Sequence, residues 1–286
     1  MADNFVRTGK PSGTALRVAT VRAVHRLLDD PIVFDDPLAL PILGPEAEAA
    51  LRADPFQYND QLSRGLRASL VVRSRAAEDE VARAVAAGVR QYVVLGAGLD
   101  TFAYRNPFAT EGLRVFEVDH PSTQEWKRGR LAAANIPLPD GLVFAPVDFE
   151  HGTLAEGLAA VGFDTAKPAC FSWLGVTMYL TEAAVFDTLS FIAGLAPGSS
   201  VTFDFRVPLD QLNPVERSIT EMIMQRVAEA GEPWISAFDP EGLRARLRDL
   251  GFSRAEALLP EKLNRRYLFK RKDGLSTRVR IMRASR

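Results

Sequence analysis

The stretch that most constrains the fold of this chain covers residues 91–105 and reads QYVVLGAGLDTFAYR. Four apolar residues, Tyr92 to Leu95, lead directly into Gly96, Ala97 and Gly98, which is typical of a buried parallel strand that ends at a ligand. The two glycines allow the main chain to approach a ligand that a Cβ atom would keep away. Taken alone, the stretch is also compatible with a simple tight turn.

Further strand patterns alternate with helical segments along the chain. The predicted strands cover residues 92–95, 113–118, 142–147, 168–174, 199–205, 255–259 and 279–284. This alternation predicts an α/β fold with a doubly wound, mostly parallel sheet, whose ligands bind beyond the carboxyl ends of the strands.

Polar residues follow several of these strands at that edge. Asp119 ends the second strand about 20 residues beyond Gly98, where an acid reaches the ribose hydroxyls of a bound nucleotide. Asp148 ends the third strand and Ser172 lies in the fourth. Their convergence at one edge favours a nucleotide-like ligand over a set of unrelated turns.

Two predicted helices precede the glycine stretch, and each places an arginine on its apolar side. Arg22 lies in a helix from Thr14 to about residue 28, and Arg73 lies on the apolar stripe of a helix over 60–87. A buried arginine needs a counter-charge, from either a protein carboxylate or a ligand. Arg75, off the stripe, is predicted to pair with Asp79 on the surface.

The carboxyl-terminal third departs from this alternation. Residues 206–250 are predicted to form a helical lid over a substrate cavity. The residues predicted to line the cavity are Ile219, Met222, Ile223 and Met224, and the turn formed by Glu232, Pro233 and Trp234 is predicted to lie at its mouth. The basic segment EKLNRRYLFKRKDGL, residues 261–275, is predicted to be a solvated connection between the last two strands.

Composition limits the classes of function. The chain has 286 residues and a net charge of −1, so it offers no electrostatic case for binding nucleic acid or a membrane surface. Three histidines and the single Cys170 show no metal-ligand spacing, and Cys170 is predicted to be a packed thiol. We expect a cytoplasmic protein, with no expectation about its oligomeric state.

We predict a single domain in four parts. Residues 1–88 form an N-terminal helical cap, 89–205 the cofactor-binding core, 206–250 the lid and 251–286 the last strands.

The glycine pattern also bears on the kind of nucleotide. A nicotinamide dinucleotide site has a third glycine, and Thr101 stands in its place here. The departure favours another adenosine ligand. Class I methyltransferases combine a looser glycine turn with an acid after the second strand and an acidic-apolar pair after the third, here Asp119 and the pair Asp148 and Phe149.

Six motifs resemble one family in particular, the leucine carboxyl methyltransferase-like group of S-adenosylmethionine-dependent methyltransferases, including its bacterial natural-product O-methyltransferase branch. The motifs are TALRVATVRA (14–23), RSRAAEDEV (73–81), QYVVLGAGLDTFAYR (91–105), VFEVDHP (115–121), FSWLGVTMYL (171–180) and RYLFKRKDGL (266–275). The resemblance implies a class I methyltransferase sheet with an antiparallel strand at its C-terminal end.

The resemblance also implies the roles of individual residues. Gly96 and Gly98, with Ala97 between them, approach the methionine part of S-adenosylmethionine, and Asp119 binds the ribose. Arg73 grips the cofactor carboxylate, with Arg22 near the same group. The remaining cofactor contacts are expected from His120, Asp148, Phe149, Ser172 and Trp173. Two positions depart from the family: Leu174 replaces a common glutamate and Phe102 a common arginine.

The expected reaction is methyl transfer to the oxygen of a carboxylate or hydroxyl group on a small molecule such as a polyketide. Tyr179 is expected to line the acceptor site. A hydroxyl acceptor would call for a general base, for which Tyr179, His120, His151 and Asp204 are candidates. Two alternatives remain: a nicotinamide-dependent oxidoreductase, and a protein that binds S-adenosylmethionine without catalysis.

Overall fold

The structure, a computed structural model, describes residues 13–148 and 151–286. Its centre is one seven-stranded sheet with the strand order β3-β2-β1-β4-β5-β7-β6. The strands are β1 (Gln91–Leu95), β2 (Arg114–Asp119), β3 (Leu142–Pro146), β4 (Cys170–Trp173), β5 (Ser200–Phe205), β6 (Arg254–Leu258) and β7 (Arg280–Ser285). The paired strands among β1 to β5 are parallel, and β7 pairs antiparallel with both β5 and β6. The predicted fold class is confirmed.

Helices cover both faces of this sheet. They are α1 (Gly13–Leu28), α2 (Pro45–Ala53), α3 (Gln61–Ala86), α4 (Pro121–Ala133), α5 (Leu154–Ala160), α6 (Glu182–Gly194), α7 (Pro214–Glu229), α8 (Pro240–Asp249) and α9 (Pro260–Tyr267). Alternate residues of β1 enter two different cores. Tyr92 packs with Val81 of α3, whereas Val93 belongs to the cluster that contains Leu158 of α5 and Leu189 of α6. Burial on both faces explains why β1 is apolar throughout.

The basic segment over 261–275 differs from its prediction as a solvated connection. Its first part is the helix α9, and Arg271 is buried, with its Nη2 atom donating to Asp29 Oδ1 at 3.0 Å. Burial alone would raise the pKa of Asp29, but hydrogen bonds from His25 and Arg67 lower it to about 2. Arg67 Nε also donates to Asp29, at 2.8 Å. This cluster joins the C-terminal segment to α3 and to the end of α1.

The region predicted as a lid divides into two structurally different helices. α8 buries Leu243 and Leu247 in the main core, whereas α7 has no buried residue. Of the two, α7 is therefore the helix that packs outside the main core, and its residues Ile223, Arg226 and Val227 line a cavity that is described below. No helix within 13–148 and 151–286 has the length and apolarity needed to cross a membrane. Cys170 is buried, and burial raises the pKa of its thiol to about 12, so it remains a protonated, packed thiol at neutral pH.

Candidate active site

A cavity of about 290 Å³ lies beyond the carboxyl ends of the central strands β1, β2 and β4. Gly96, Ala97 and Gly98 form one wall, and Asp119 and Ser172 lie at neighbouring strand ends. This is the strand edge that the sequence pattern indicated, and it is where open α/β sheets bind their ligands.

The two glycines permit close packing around this cavity. Both have positive φ, +66° at Gly96 and +44° at Gly98, which L side chains adopt only with strain. A Cβ on Gly96 would collide with the side chain of Val176, and one on Gly98 would lie 3.1 Å from the Cβ of Ala15 in α1. The glycine turn thus brings α1 and the loop after β4 to the cavity walls.

Asp119 is held by two main-chain hydrogen bonds. Its Oδ2 accepts from Gly98 N at 2.6 Å and its Oδ1 accepts from His120 N at 2.7 Å. Burial raises the pKa of this carboxyl group, while both hydrogen bonds lower it. The carboxylate is therefore fixed in one orientation at the cavity edge, where it can accept hydrogen bonds from vicinal hydroxyls.

Arg73 lines the same cavity as Asp119 and has a protein counter-charge. Its Nη1 donates to Asp204 Oδ2 at 2.8 Å, and Asp204 Oδ1 accepts from Gly175 N at 2.6 Å. The guanidinium group rests on Gly175, where an added Cβ would lie 2.7 Å from Nη2. Asp204 therefore orients Arg73, and Arg73 needs no ligand to be buried. This role for Asp204 differs from the general base considered from the sequence.

Arg22 is buried beside the same cavity and is held from several sides. Its Nη2 donates to the carbonyl of Leu99 at 2.5 Å, and its guanidinium nitrogens lie 3.6 Å from Asp36 Oδ2 and 3.8 Å from Asp100 Oδ2. Asp36 is completely buried and also accepts from the Thr101 hydroxyl at 2.8 Å. Sequence reasoning missed Asp36, because nothing in its proline-rich surroundings marks it as close to the glycine turn.

A second cavity, of about 360 Å³, adjoins the first between α1, α3 and α7. The two cavities share Thr14, Val18, Arg73, Gly175, Tyr179 and Glu232. Thr14 Oγ1 donates to Glu232 Oε2, which joins the start of α1 to the loop after α7. Glu232 was predicted only as part of a turn near the mouth, and the structure places it where the cavities meet.

Tyr179, which was predicted to line an acceptor site, also lies at this junction. Burial raises the pKa of its hydroxyl above the usual value of 10, and Trp234 and Thr14 are its polar neighbours. The hydroxyl is therefore protonated at neutral pH and serves as a hydrogen-bond donor rather than a base. Trp234 lines the second cavity, whereas Met222 lies outside both linings and is 42% exposed; its neighbour Ile223 lines the second cavity instead.

The remaining predicted residues divide into those that line the first cavity and those that do not. Ser172 lines it and accepts a hydrogen bond from the Tyr92 hydroxyl at 2.7 Å. Trp173 is buried in the main core beside Phe203, with ring centroids 6.2 Å apart, and lies outside the lining.

His120 and Asp148 also lie outside both cavity linings. His120 caps α4 by accepting from Ser122 N, and its Nε2 lies 3.8 Å from Asp148 Oδ2. Asp148 contacts His151 as well, at 2.9 Å. His120 and His151 thus lie away from the junction where a general base would act. Phe149 lies outside the described residues.

The two departures from the family pattern have structural consequences. Leu174 lines the cofactor cavity, so an apolar group occupies this part of the wall. Phe102 is buried and packs edge-on against Tyr92 with ring centroids 4.9 Å apart, so it contacts β1, the strand that leads into the glycine turn. Across residues 13–148 and 151–286, no group of three or more His, Cys, Asp or Glu side chains is arranged to hold a metal ion.

Comparisons with known proteins agree with this geometry. Residues 15–193 match the family model described as leucine carboxyl methyltransferase. The chain is 31% identical over 292 residues to YktD of Bacillus subtilis, covering 95% of this chain and 96% of that protein. It is 36% identical over 199 residues to a protein of Frankia alni, covering 67% and 68%. Both relatives are provisionally named as S-adenosylmethionine-dependent methyltransferases.

Solved structures share the fold. A provisionally named methyltransferase from Thermobifida fusca superposes with a TM-score of 0.58 at 19% identity, covering 97% of this chain and 96% of that one. A DUF574 family protein from Streptomyces avermitilis gives a TM-score of 0.52 at 15% identity, covering 94% and 96%.

The residues present fit S-adenosylmethionine as the cofactor. Two arginines, Arg22 and Arg73, supply cationic donors for a carboxylate, and the fixed carboxylate of Asp119 suits ribose hydroxyls. Gly96 and Gly98 line the same cavity and have no side chain, so the main chain of the glycine turn can approach the ligand closely. With the family match over residues 15–193, this chain belongs to the leucine carboxyl methyltransferase family and is an S-adenosylmethionine-dependent methyltransferase.

Proposed function

We propose that the chain is an O-methyltransferase that acts on a carboxylate or hydroxyl group of a small molecule, such as a polyketide or another secondary metabolite. The observation that carries the proposal is the junction of the two cavities, where Arg73, Tyr179 and Glu232 line both. A molecule in the second cavity therefore reaches the methionine end of the first.

The groups at the junction suit an oxygen acceptor. When bound, S-adenosylmethionine supplies a methyl group on a positively charged sulfur. The protonated Tyr179 hydroxyl can donate a hydrogen bond to the acceptor and orient it, and positioning of this kind is the main contribution a protein makes to an in-line displacement. Glu232 is the carboxylate close enough to the junction to take a proton from a hydroxyl acceptor. A carboxylate acceptor is ionised already and needs no base.

The test is transfer of labelled methyl groups from S-adenosylmethionine to a panel of carboxylic acids, phenols and aliphatic alcohols, with products identified by mass spectrometry. We expect methyl esters or methyl ethers. Glu232→Gln should lower the rate with hydroxyl acceptors and leave carboxylate acceptors nearly unchanged, so the variant also distinguishes the two groups.

Products methylated at nitrogen, sulfur or carbon would contradict the proposal. Tight binding of S-adenosylmethionine without transfer to any member of the panel would instead favour the non-catalytic alternative. The cytoplasmic location and the small-molecule partner expected from the sequence belong to the same proposal.

A further inference from the structure

The walls of the second cavity are apolar over a considerable length. Leu62, Leu66 and Leu70 line it from α3, and Ile223 and Val227 line it from α7. Two helical turns separate the first and last of these leucines, so the wall extends for about 12 Å along α3. A wall of this kind fits an elongated aliphatic body rather than a compact polar one.

The cavity has a defined inner end. Arg73, one turn beyond Leu70 on α3, lines both cavities, whereas Leu62 and Leu66 line only the second. Glu232 also lies at the inner end. The inner end is therefore the one at which the acceptor oxygen is methylated, and the wall leads away from it towards Leu62.

Two arginines line the second cavity without lining the first. Arg17 of α1 and Arg226 of α7 are exposed, line the second cavity but not the first, and form no ion pair with any residue in 13–148 or 151–286. Arg17 also lines, with Ser63 and Leu66, a small recess between α1 and α3 that shares no residue with the first cavity, so Arg17 lies towards the outer end of the leucine wall. Cationic side chains beside an apolar cavity attract an anionic group.

Resting on the proposed O-methyl transfer, we propose that the acceptor is an elongated apolar molecule with an anionic group remote from the methylated oxygen. Arg17 and Arg226 bind this group at the outer part of the cavity. The leucine wall holds the aliphatic body between them and the junction.

A matched pair of product-like ligands tests this proposal. The protein loaded with S-adenosylhomocysteine is titrated with dodecanedioic acid monomethyl ester and with the dimethyl ester, which differ only in the remote carboxylate. Because each exposed pair contributes modestly, we expect the monomethyl ester to bind roughly five- to tenfold more tightly, and less so at high salt. Arg17→Gln/Arg226→Gln should abolish the difference without changing the affinity for the dimethyl ester.

The control variant is Arg248→Gln/Arg254→Gln, which removes the same charge from exposed positions outside both cavities and should keep the preference. Equal affinities in the unaltered protein, no binding of either ester, or a preference that survives Arg17→Gln/Arg226→Gln would overturn the proposal. The proposed function is read separately, from methyl transfer to the acceptor panel. Transfer without any preference for a remote anion defeats only the present inference, whereas absence of all transfer defeats the proposed function.

Discussion

Replacing Arg73 with methionine separates its contact with the protein from its contact with the cofactor. In the structure, Arg73 Nη1 donates to Asp204 Oδ2 at 2.8 Å, and both side chains are largely buried. Breaking a buried pair from one side costs about 3–5 kcal/mol of unfolding free energy, because the remaining charge is left uncompensated. Loss of a charge-assisted hydrogen bond to the cofactor carboxylate would cost about 1.5–3 kcal/mol, or roughly ten- to a hundredfold in affinity.

A double variant distinguishes these two effects. Arg73→Met/Asp204→Asn removes the stranded carboxylate, so it should recover part of the lost stability in urea denaturation. It should not recover affinity for S-adenosylhomocysteine, measured by calorimetry. Methylthioadenosine lacks the amino-acid carboxylate, and its affinity should be nearly unchanged in both variants. The reasoning is refuted if the two ligands weaken equally, or if S-adenosylhomocysteine binds to both variants as tightly as to the unaltered protein.

Three further predictions follow from the same region. Gly96→Ala should weaken S-adenosylhomocysteine binding, and it should lower the free energy of unfolding by more than the roughly 1 kcal/mol that a positive φ costs, because the added Cβ collides with Val176. Gly112→Ala is the control, since Gly112 has a φ of +81° but open space around it, and this variant should lose only the roughly 1 kcal/mol. Urea denaturation and ligand titration measure the two effects. Asp119→Asn should weaken methylthioadenosine and S-adenosylhomocysteine alike, and a loss confined to the latter would contradict its place beside the ribose. Burial raises the pKa of Glu117 to about 7, although Lys127 Nζ, 2.7 Å from Glu117 Oε2, lowers it. The folded state therefore favours the protonated form and loses stability as the pH rises from about 4.5 through 7. Glu117→Gln should flatten that part of the curve of unfolding free energy against pH, and an unchanged slope would refute the assignment.

The centre of the sheet was predictable because the strands β1, β2, β4 and β5 are buried on both faces. A short apolar run between polar turns has few other structures open to it, and the alternation with helices then determines a doubly wound arrangement. The glycine turn and Asp119 were predictable for a related reason: they lie at strand ends, and strand ends of a parallel sheet meet at one edge. The local sequence was therefore sufficient to predict the glycine turn and Asp119.

The counter-charges of the arginines were not predictable in the same way. Arg73 and Asp204 are 131 positions apart in the chain, and Thr14 and Glu232 are 218 apart. Apolar periodicity shows that Arg73 faces inward, but not what it meets there. The same limit explains why the basic segment after β6 was expected in solvent: burial of Arg271 depends on Asp29, at the opposite end of the chain.

The second cavity could not be predicted from local sequence either, since three helices from distant parts of the sequence form it. The apolar run in α7 indicated that some residue there lines a cavity. Which residue it is depends on the rotation of the helix against α1 and α3, and the structure selects Ile223 rather than Met222.

The most direct test of the account is a crystal structure of the protein with S-adenosylhomocysteine. We predict that the ribose hydroxyls contact Asp119, that the carboxylate lies beside Arg73, and that the sulfur faces the second cavity between Tyr179 and Glu232. A sulfur atom that points away from the second cavity, or a ligand bound outside the glycine turn, would contradict the account.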